Sequence, residues 1–225
     1  MGQAIGAVLP LAIAVAIFPV PVIAAVLLVG SERGRVKAGA FVVAWVAGLA
    51  AVGGIVLAFA GALDASDGGE ASTWVDVVLL VLGLVVVALG VKQWRGRPSG
   101  GEEAPTPGWM QAIDEFTVVK AAAAGFALTA LNPKNLFLVA AAAAEIAELG
   151  LSTGHEIAAL IVFVLLASAG VLAPLVLAIA LGGRSQDLLD GIRTWMARYN
   201  AVIMTVLLLL IGAKLIGDSI AGFST

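Results

Sequence analysis

Lys134 is the residue whose type and place most invite chemistry. It stands in Asn132-Pro133-Lys134-Asn135, within an apolar stretch running over residues 118–144. A lysine at the centre of a membrane-spanning helix costs roughly 2.5–3.5 kcal/mol on insertion scales, so it must face a bundle interior or a water-filled cavity. There an ammonium can hold a carboxylate, phosphate or sulfate head group, repel cations, or gain and lose a proton. Asn132 and Asn135 flank it, and Pro133 frees a backbone carbonyl about one turn earlier. The competing reading is structural: Lys134 snorkels or pairs with a carboxylate. Glu145 lies about three turns further along the same helix and is too distant to be that partner.

A second pattern joins this one. Phe18-Pro19-Val20-Pro21 interrupts the first apolar stretch much as Asn132-Pro133-Lys134-Asn135 interrupts the fourth. A proline inside a helix removes a backbone bond and clashes with the preceding turn, at about 3 kcal/mol. Paired breaks at corresponding places point to the central site of a secondary transporter; a simple kink is the alternative, since proline is common in membrane helices. The candidate substrate-binding and translocation residues are therefore Pro19, Pro21, Thr129, Asn132, Pro133, Lys134 and Asn135. Pro19, Pro133 and Pro174 are the candidate hinges, the last softened by Ser168 and Gly170. Thr129, Ser168 and Thr205 either line a path or bond to carbonyls of their own helices. His155, Glu148 and Glu156 belong at a solvated mouth.

The remaining chemistry is narrow. With no cysteine, disulfides, thiol redox and thiolate metal sites are excluded. One histidine and few carboxylates within the apolar stretches leave too few ligands for a metal cage, so no metal and no cofactor is expected. No basic patch with interleaved aromatics supports nucleic-acid binding. There is no phosphate-loop spacing, nucleophile elbow or metalloprotease helix, and the expectation is that the protein is not an enzyme.

The elements that must position these residues are set by hydropathy. The 225 residues are 61% hydrophobic and 12% charged, about half the charge of an ordinary soluble domain. Counting stretches of about 20 apolar residues predicts six spans, at residues 3–29, 36–61, 74–91, 118–144, 156–182 and 200–217. The third and sixth are the shortest, with a re-entrant segment as the alternative for either. The first has no basic residue ahead of it and is too long for a signal-peptide core, which suits a permanent helix.

Basic residues decide the orientation. Ten of the twelve fall on one side: Arg33, Arg35 and Lys37; Lys92, Arg95, Arg97 and Lys120; Arg184, Arg193 and Arg198. That side is cytoplasmic, which puts both termini outside. The expected fold is an all-α integral membrane protein of two inverted three-helix repeats, residues 1–91 and 118–225, joined by a cytoplasmic linker over 92–117. Any six-span chain divides into halves of opposite orientation, so the paired proline breaks carry the weight of this reading. Residues 97–107 are too polar and too rich in Pro and Gly to pack. After them, Trp109, Met110, Ile113 and Phe116 suit a short interfacial helix, and Leu188, Leu189, Ile192, Trp195, Met196 and Tyr199 repeat the pattern before the sixth span. Small residues at four-residue spacing, such as Ala40, Ala44 and Gly48, fit close helix packing.

Leu9-Pro10-Leu11 with Phe18-Pro19-Val20-Pro21, Gln93-Trp94-Arg95-Gly96-Arg97-Pro98, Ile113-Asp114-Glu115-Phe116-Thr117 with Lys120, and Asn132-Pro133-Lys134-Asn135-Leu136 resemble the peptidoglycolipid-addressing protein family. Its members are also called sulfolipid-addressing proteins and belong to the lysine exporter superfamily. The resemblance runs over essentially the whole chain, and the Asn-Pro-Lys-Asn segment is its most specific part. It implies a six-helix, multi-pass protein of the actinobacterial plasma membrane that delivers complex glycolipids toward the cell surface. Related families export amino acids or metal cations, so it narrows the fold more than the cargo. The expected partner is a membrane lipid or glycolipid, by alternating access through the broken helices. A small-solute exporter and a non-transporting scaffold that recruits lipid-export partners through loop 92–117 are the alternatives, and a homo-oligomer stays open.

Overall fold

The computed structural model describes residues 2–66, 73–97, 110 and 112–223. Of these, 92% are helical, and no strand occurs among them. A chain in hydrocarbon must satisfy its backbone polar groups within each segment, which such apolar stretches achieve as helices. Among the described residues the long helices run in order: α1 (Gly2–Ala16), α2 (Pro19–Gly30), α3 (Gly34–Ser66), α4 (Thr73–Arg95), α5 (Val118–Ala130), α6 (Pro133–Glu148), α7 (Thr153–Leu181) and α8 (Gln186–Gly222).

Both proline motifs break the chain in the same way. α1 and α2 meet at 52°, and α5 and α6 at 58°. The residue before proline is pushed out of the helical region by the pyrrolidine ring: Phe18 has φ −63° and ψ 116°, and Asn132 has φ −80° and ψ 115°. Pro19 and Pro133 then start the next helix, where a missing N–H costs nothing. Pro10 and Pro174, by contrast, lie inside α1 and α7 without ending them.

Three stretches are long and apolar enough to cross a membrane, Gly34–Ala60, Asp76–Arg95 and Thr153–Gly222, and up to five if each bent pair is one span. Many large apolar side chains face outward, among them Val43, Phe59, Val119, Leu165 and Leu210. Such a surface suits lipid, and the chain is a multi-pass membrane protein. The stretch 153–222 is itself two helices, parted by Gly182 with φ 57° and a 3-10 turn over Gly182–Ser185. α8 returns along the bundle, since Lys214 meets Glu145, just ahead of the start of α7.

The observed helices outrun the apolar stretches. α8 absorbs residues 188–199, expected as a separate interfacial helix, into one 37-residue helix. Continuing the backbone bonds satisfies more donors than a break would. Within the linker, a 3-10 turn at Ile113–Glu115 is described; the polar segment 98–109 and Trp109 lie outside the described residues.

The packing partners repeat when α1–α4 are exchanged for α5–α8. α1 packs on α7 as α5 packs on α3, α2 on α8 as α6 on α4, and α2 on α7 as α6 on α3, while α3 with α7 and α4 with α8 pair across the middle. Glycines bring the backbones close at these contacts. A Cβ on Gly125 would run into the carbonyl of Phe41, one on Gly48 into Thr129, and one on Gly170 into the carbonyl of Ala16 at the first break. α4 and α8 approach through Gly83 and Gly212. Trp45, Phe41 and Phe163 fill the centre.

Candidate functional site

The two breaks converge. Lys134, in the first turn of α6, donates from Nζ to Gln93 Oε1 of α4 at 2.6 Å. The same ammonium lies 6.0 Å from the centre of the Phe18 ring, at the first break, at the outer limit of a cation–π contact. One half-buried cation of the second break therefore bonds α4 and faces Phe18 at the first break. The charge is held by a neutral amide oxygen and a ring face, with no described carboxylate paired to it. An anionic group arriving there would replace a weaker partner with a stronger one.

Asparagines hold the second break open. Asn132 caps α6, its Oδ1 accepting from the Lys134 N–H at 3.1 Å, which uses one of the free donors of a helix start. Asn135 is fully buried, and its Nδ2 donates to the Leu128 carbonyl at 2.7 Å. That carbonyl lost its helical partner where the chain turned at Asn132, so the side chain replaces the missing backbone donor. Asn135 Oδ1 has no protein partner. Asn135→Leu is expected to cost about 1–3 kcal/mol, because it leaves the Leu128 carbonyl buried and unpaired. Thermal unfolding in nanodiscs checks this, and a melting temperature equal to wild type would remove the amide's assigned role.

The other expected residues are placed less centrally. Pro19 and Pro21 are buried in the first turn of α2, Pro133 is exposed, and Pro174 is buried in the unbroken α7. Thr129 is fully buried but donates to its own helix, at 2.8 Å to Phe126 and 3.3 Å to Gly125. Ser168 and Thr205 do the same, to Val164 and Ala201. His155 shares a 2.8 Å bond with Ser152 at the exposed start of α7.

Two cavities lie away from Lys134, and none of Asn132, Pro133, Lys134 and Asn135 lines either. One, of about 530 Å³, opens where α2, α3, α7 and α8 meet and is bordered by Arg35, Asp190 and Arg193. Arg35 also donates to the Ala178 carbonyl at 3.1 Å. The other, of about 570 Å³, is apolar and is bordered by Ile17 of the first break with Ile192, Trp195, Met196 and Ile203 of α8.

Sequence reasoning missed two partnerships. Gln93 carries no signal on its own, because a glutamine at the end of a span reads as interfacial. Lys214 carried one: it is a second basic residue inside an apolar stretch, and it pairs with Glu145 at 2.7 Å and Asp218 at 2.6 Å. Glu145, which falls just past the end of the apolar stretch 118–144, is only 4% exposed.

A family model described as Sap, sulfolipid-1-addressing protein, matches residues 8–221. No curated protein and no solved structure matches the chain. Both proline breaks, Gln93, Lys134 and the Glu145–Lys214 pair fall inside the matched residues, and the chain belongs to the sulfolipid-1-addressing protein family.

Proposed function

We propose that this chain is a six-span transport protein of a bacterial plasma membrane, built as two inverted three-helix repeats, that moves an anionic glycolipid or its precursor across or toward the cell surface by alternating access. The observation that carries this reading is the meeting of both proline breaks at Lys134, which stands in the second break, faces Phe18 of the first and bonds Gln93 of α4. Broken helices at a repeat interface are where transporters bind and rock. The exchange symmetry of the packing supports paired halves. Six spans follow if each bent pair counts once and residues 153–222 count twice, since 70 residues of continuous helix would extend about 105 Å, over three bilayer cores. The basic loops then face the cytoplasm.

In this mechanism Gln93 is the resting partner of Lys134. A sulfate, phosphate or carboxylate head group displaces it, and the acyl chains stay in lipid or along the apolar surface near Ile17 and Trp195. Binding at a point shared by both halves favours whichever arrangement of α1–α2 and α5–α6 gives the head group its contacts. Addressing of sulfolipids, the role named for the family, fits such a cargo.

The test compares surface-extractable lipids from a deletion strain complemented with wild type, with Lys134→Ala, or with nothing. Wild type is expected to restore a surface glycolipid, while Lys134→Ala at equal expression leaves it inside the cell. An unchanged lipid profile in the deletion strain would sink lipid as cargo and turn the search to amino acids and metal cations. Full restoration by Lys134→Ala would remove the site while sparing the cargo.

A further inference from the structure

The bundle end opposite the Arg35 cavity holds a charged cluster that the head-group site does not use. α6 supplies Glu145 and Glu148, α8 supplies Lys214 and Asp218, and α4 supplies Asp76. Lys214 bridges two carboxylates, Glu145 at 2.7 Å and Asp218 at 2.6 Å. The two are unequal. Asp218 is 42% exposed, whereas Glu145 is 4% exposed, and its second oxygen, Oε2, has no protein partner. A buried carboxylate with one oxygen in an ion pair and the other bare is rare in a native interior. Nothing is gained in packing by keeping it, since an apolar pair of the same shape is often as stable.

We infer that Glu145 is a proton-binding site that latches α6 to α8, so that taking up a proton at this end of the bundle frees the broken helix to move. The inference rests on the transport reading in one respect: α6 is the second half of a helix that rocks.

The arrangement fits a proton acceptor at each point. When the Glu145 carboxylate takes a proton on Oε2 it becomes a neutral acid, and Lys214 keeps its charge and its bond to Asp218. The attraction between α6 and α8 falls from an ion pair to a neutral contact, while α4 stays joined to α8 through Ser219, whose Oγ donates to the Asp76 carbonyl at 2.7 Å. Release of the proton restores the pair. Glu148, one turn on, lies within electrostatic reach of Asp76, Asp218 and Lys214, which gives the site an acidic rim from which protons are delivered. Among the described side chains, the other helices packed on α6 add little charge there. α1 carries none, α3 none between Lys37 and Asp64, α5 only Lys120 in its first turn, and α7 starts with His155, bonded to Ser152, and Glu156. Among the described residues no three His, Asp or Glu side chains are placed to hold a metal ion, which favours a proton over a multivalent cation.

The chain has no cysteine, so Ser152→Cys with Ala221→Cys gives a clean spin-label pair across the latch. Distances are measured by pulsed electron resonance on the full chain in lipid nanodiscs. Acid buffer is expected to lengthen the distance in wild type, and changing sodium at constant pH to leave it unaltered. Glu145→Gln should show the long distance at every pH, and Glu145→Asp should keep the response. The Glu145→Gln, Lys214→Met pair of substitutions guards against misfolding of the single variant, and it too should be insensitive to pH. A Glu145→Gln protein that titrates like wild type, a wild-type distance that follows sodium instead of acidity, or one that does not move would each overturn the proposal. A latch that titrates in a strain with normal surface lipids would count against the cargo alone.

Discussion

Gly170→Leu is expected to lower the apparent melting temperature by on the order of 10 °C, from a loss of about 3 kcal/mol or more. A Cβ at this position already runs into the Ala16 carbonyl and lies 3.2 Å from Val22, and backbone cannot yield as a flexible side chain does. The affected contact holds the first break, where α1 ends and Phe18 turns toward Lys134. Gly39→Leu is the control, because a Cβ at Gly39 meets nothing within 4 Å. Thermal unfolding of both variants in nanodiscs distinguishes them. Equal stability would mean that α7 does not seat the first break as closely as the geometry has it.

The second large effect concerns the buried ion pair. Lys214→Met should destabilise the protein by about 1–3 kcal/mol at neutral pH and by less in acid, since it leaves the buried Glu145 carboxylate either uncompensated or obliged to take up a proton. Glu145→Gln should cost less, because Lys214 is 27% exposed and retains Asp218. The variant carrying both substitutions should be more stable than Lys214→Met alone, an interaction that a double-mutant cycle isolates. Strictly additive losses would mean that the two side chains do not depend on each other. This outcome bears on stability and is separate from whether the pair titrates.

The asymmetry between these sites and their legibility follows from what each depends on. The helices were readable because hydrocarbon admits so few backbone arrangements: a run of apolar residues becomes a helix whatever its neighbours do. The breaks were readable for an equally local reason, since proline excludes its predecessor from the helical region wherever it occurs. Phe18 and Asn132 accordingly have nearly equal ψ, 116° and 115°. Asn135 shows the limit. Its polarity beside Lys134 was visible, but its bond to the Leu128 carbonyl depends on the angle at which α6 leaves α5.

What lay beyond the sequence is a set of contacts between residues far apart along the chain. Lys134 was legible as a buried charge, but not its partner, Gln93, 41 positions earlier. The expectation that Lys134 dominates the interior chemistry also missed Glu145 and Lys214, 69 positions apart. Hydropathy averages over a window and assigned both to span ends, where solvent was expected; three helices closing around that end removed it. By itself the sequence determined an apolar, helical membrane protein with two proline breaks, a lysine within an apolar stretch and its family resemblance, because each follows from local composition and backbone sterics. Only the tertiary structure decided that the breaks share Lys134 and that a carboxylate is sealed against α8, because burial and pairing depend on which helices meet.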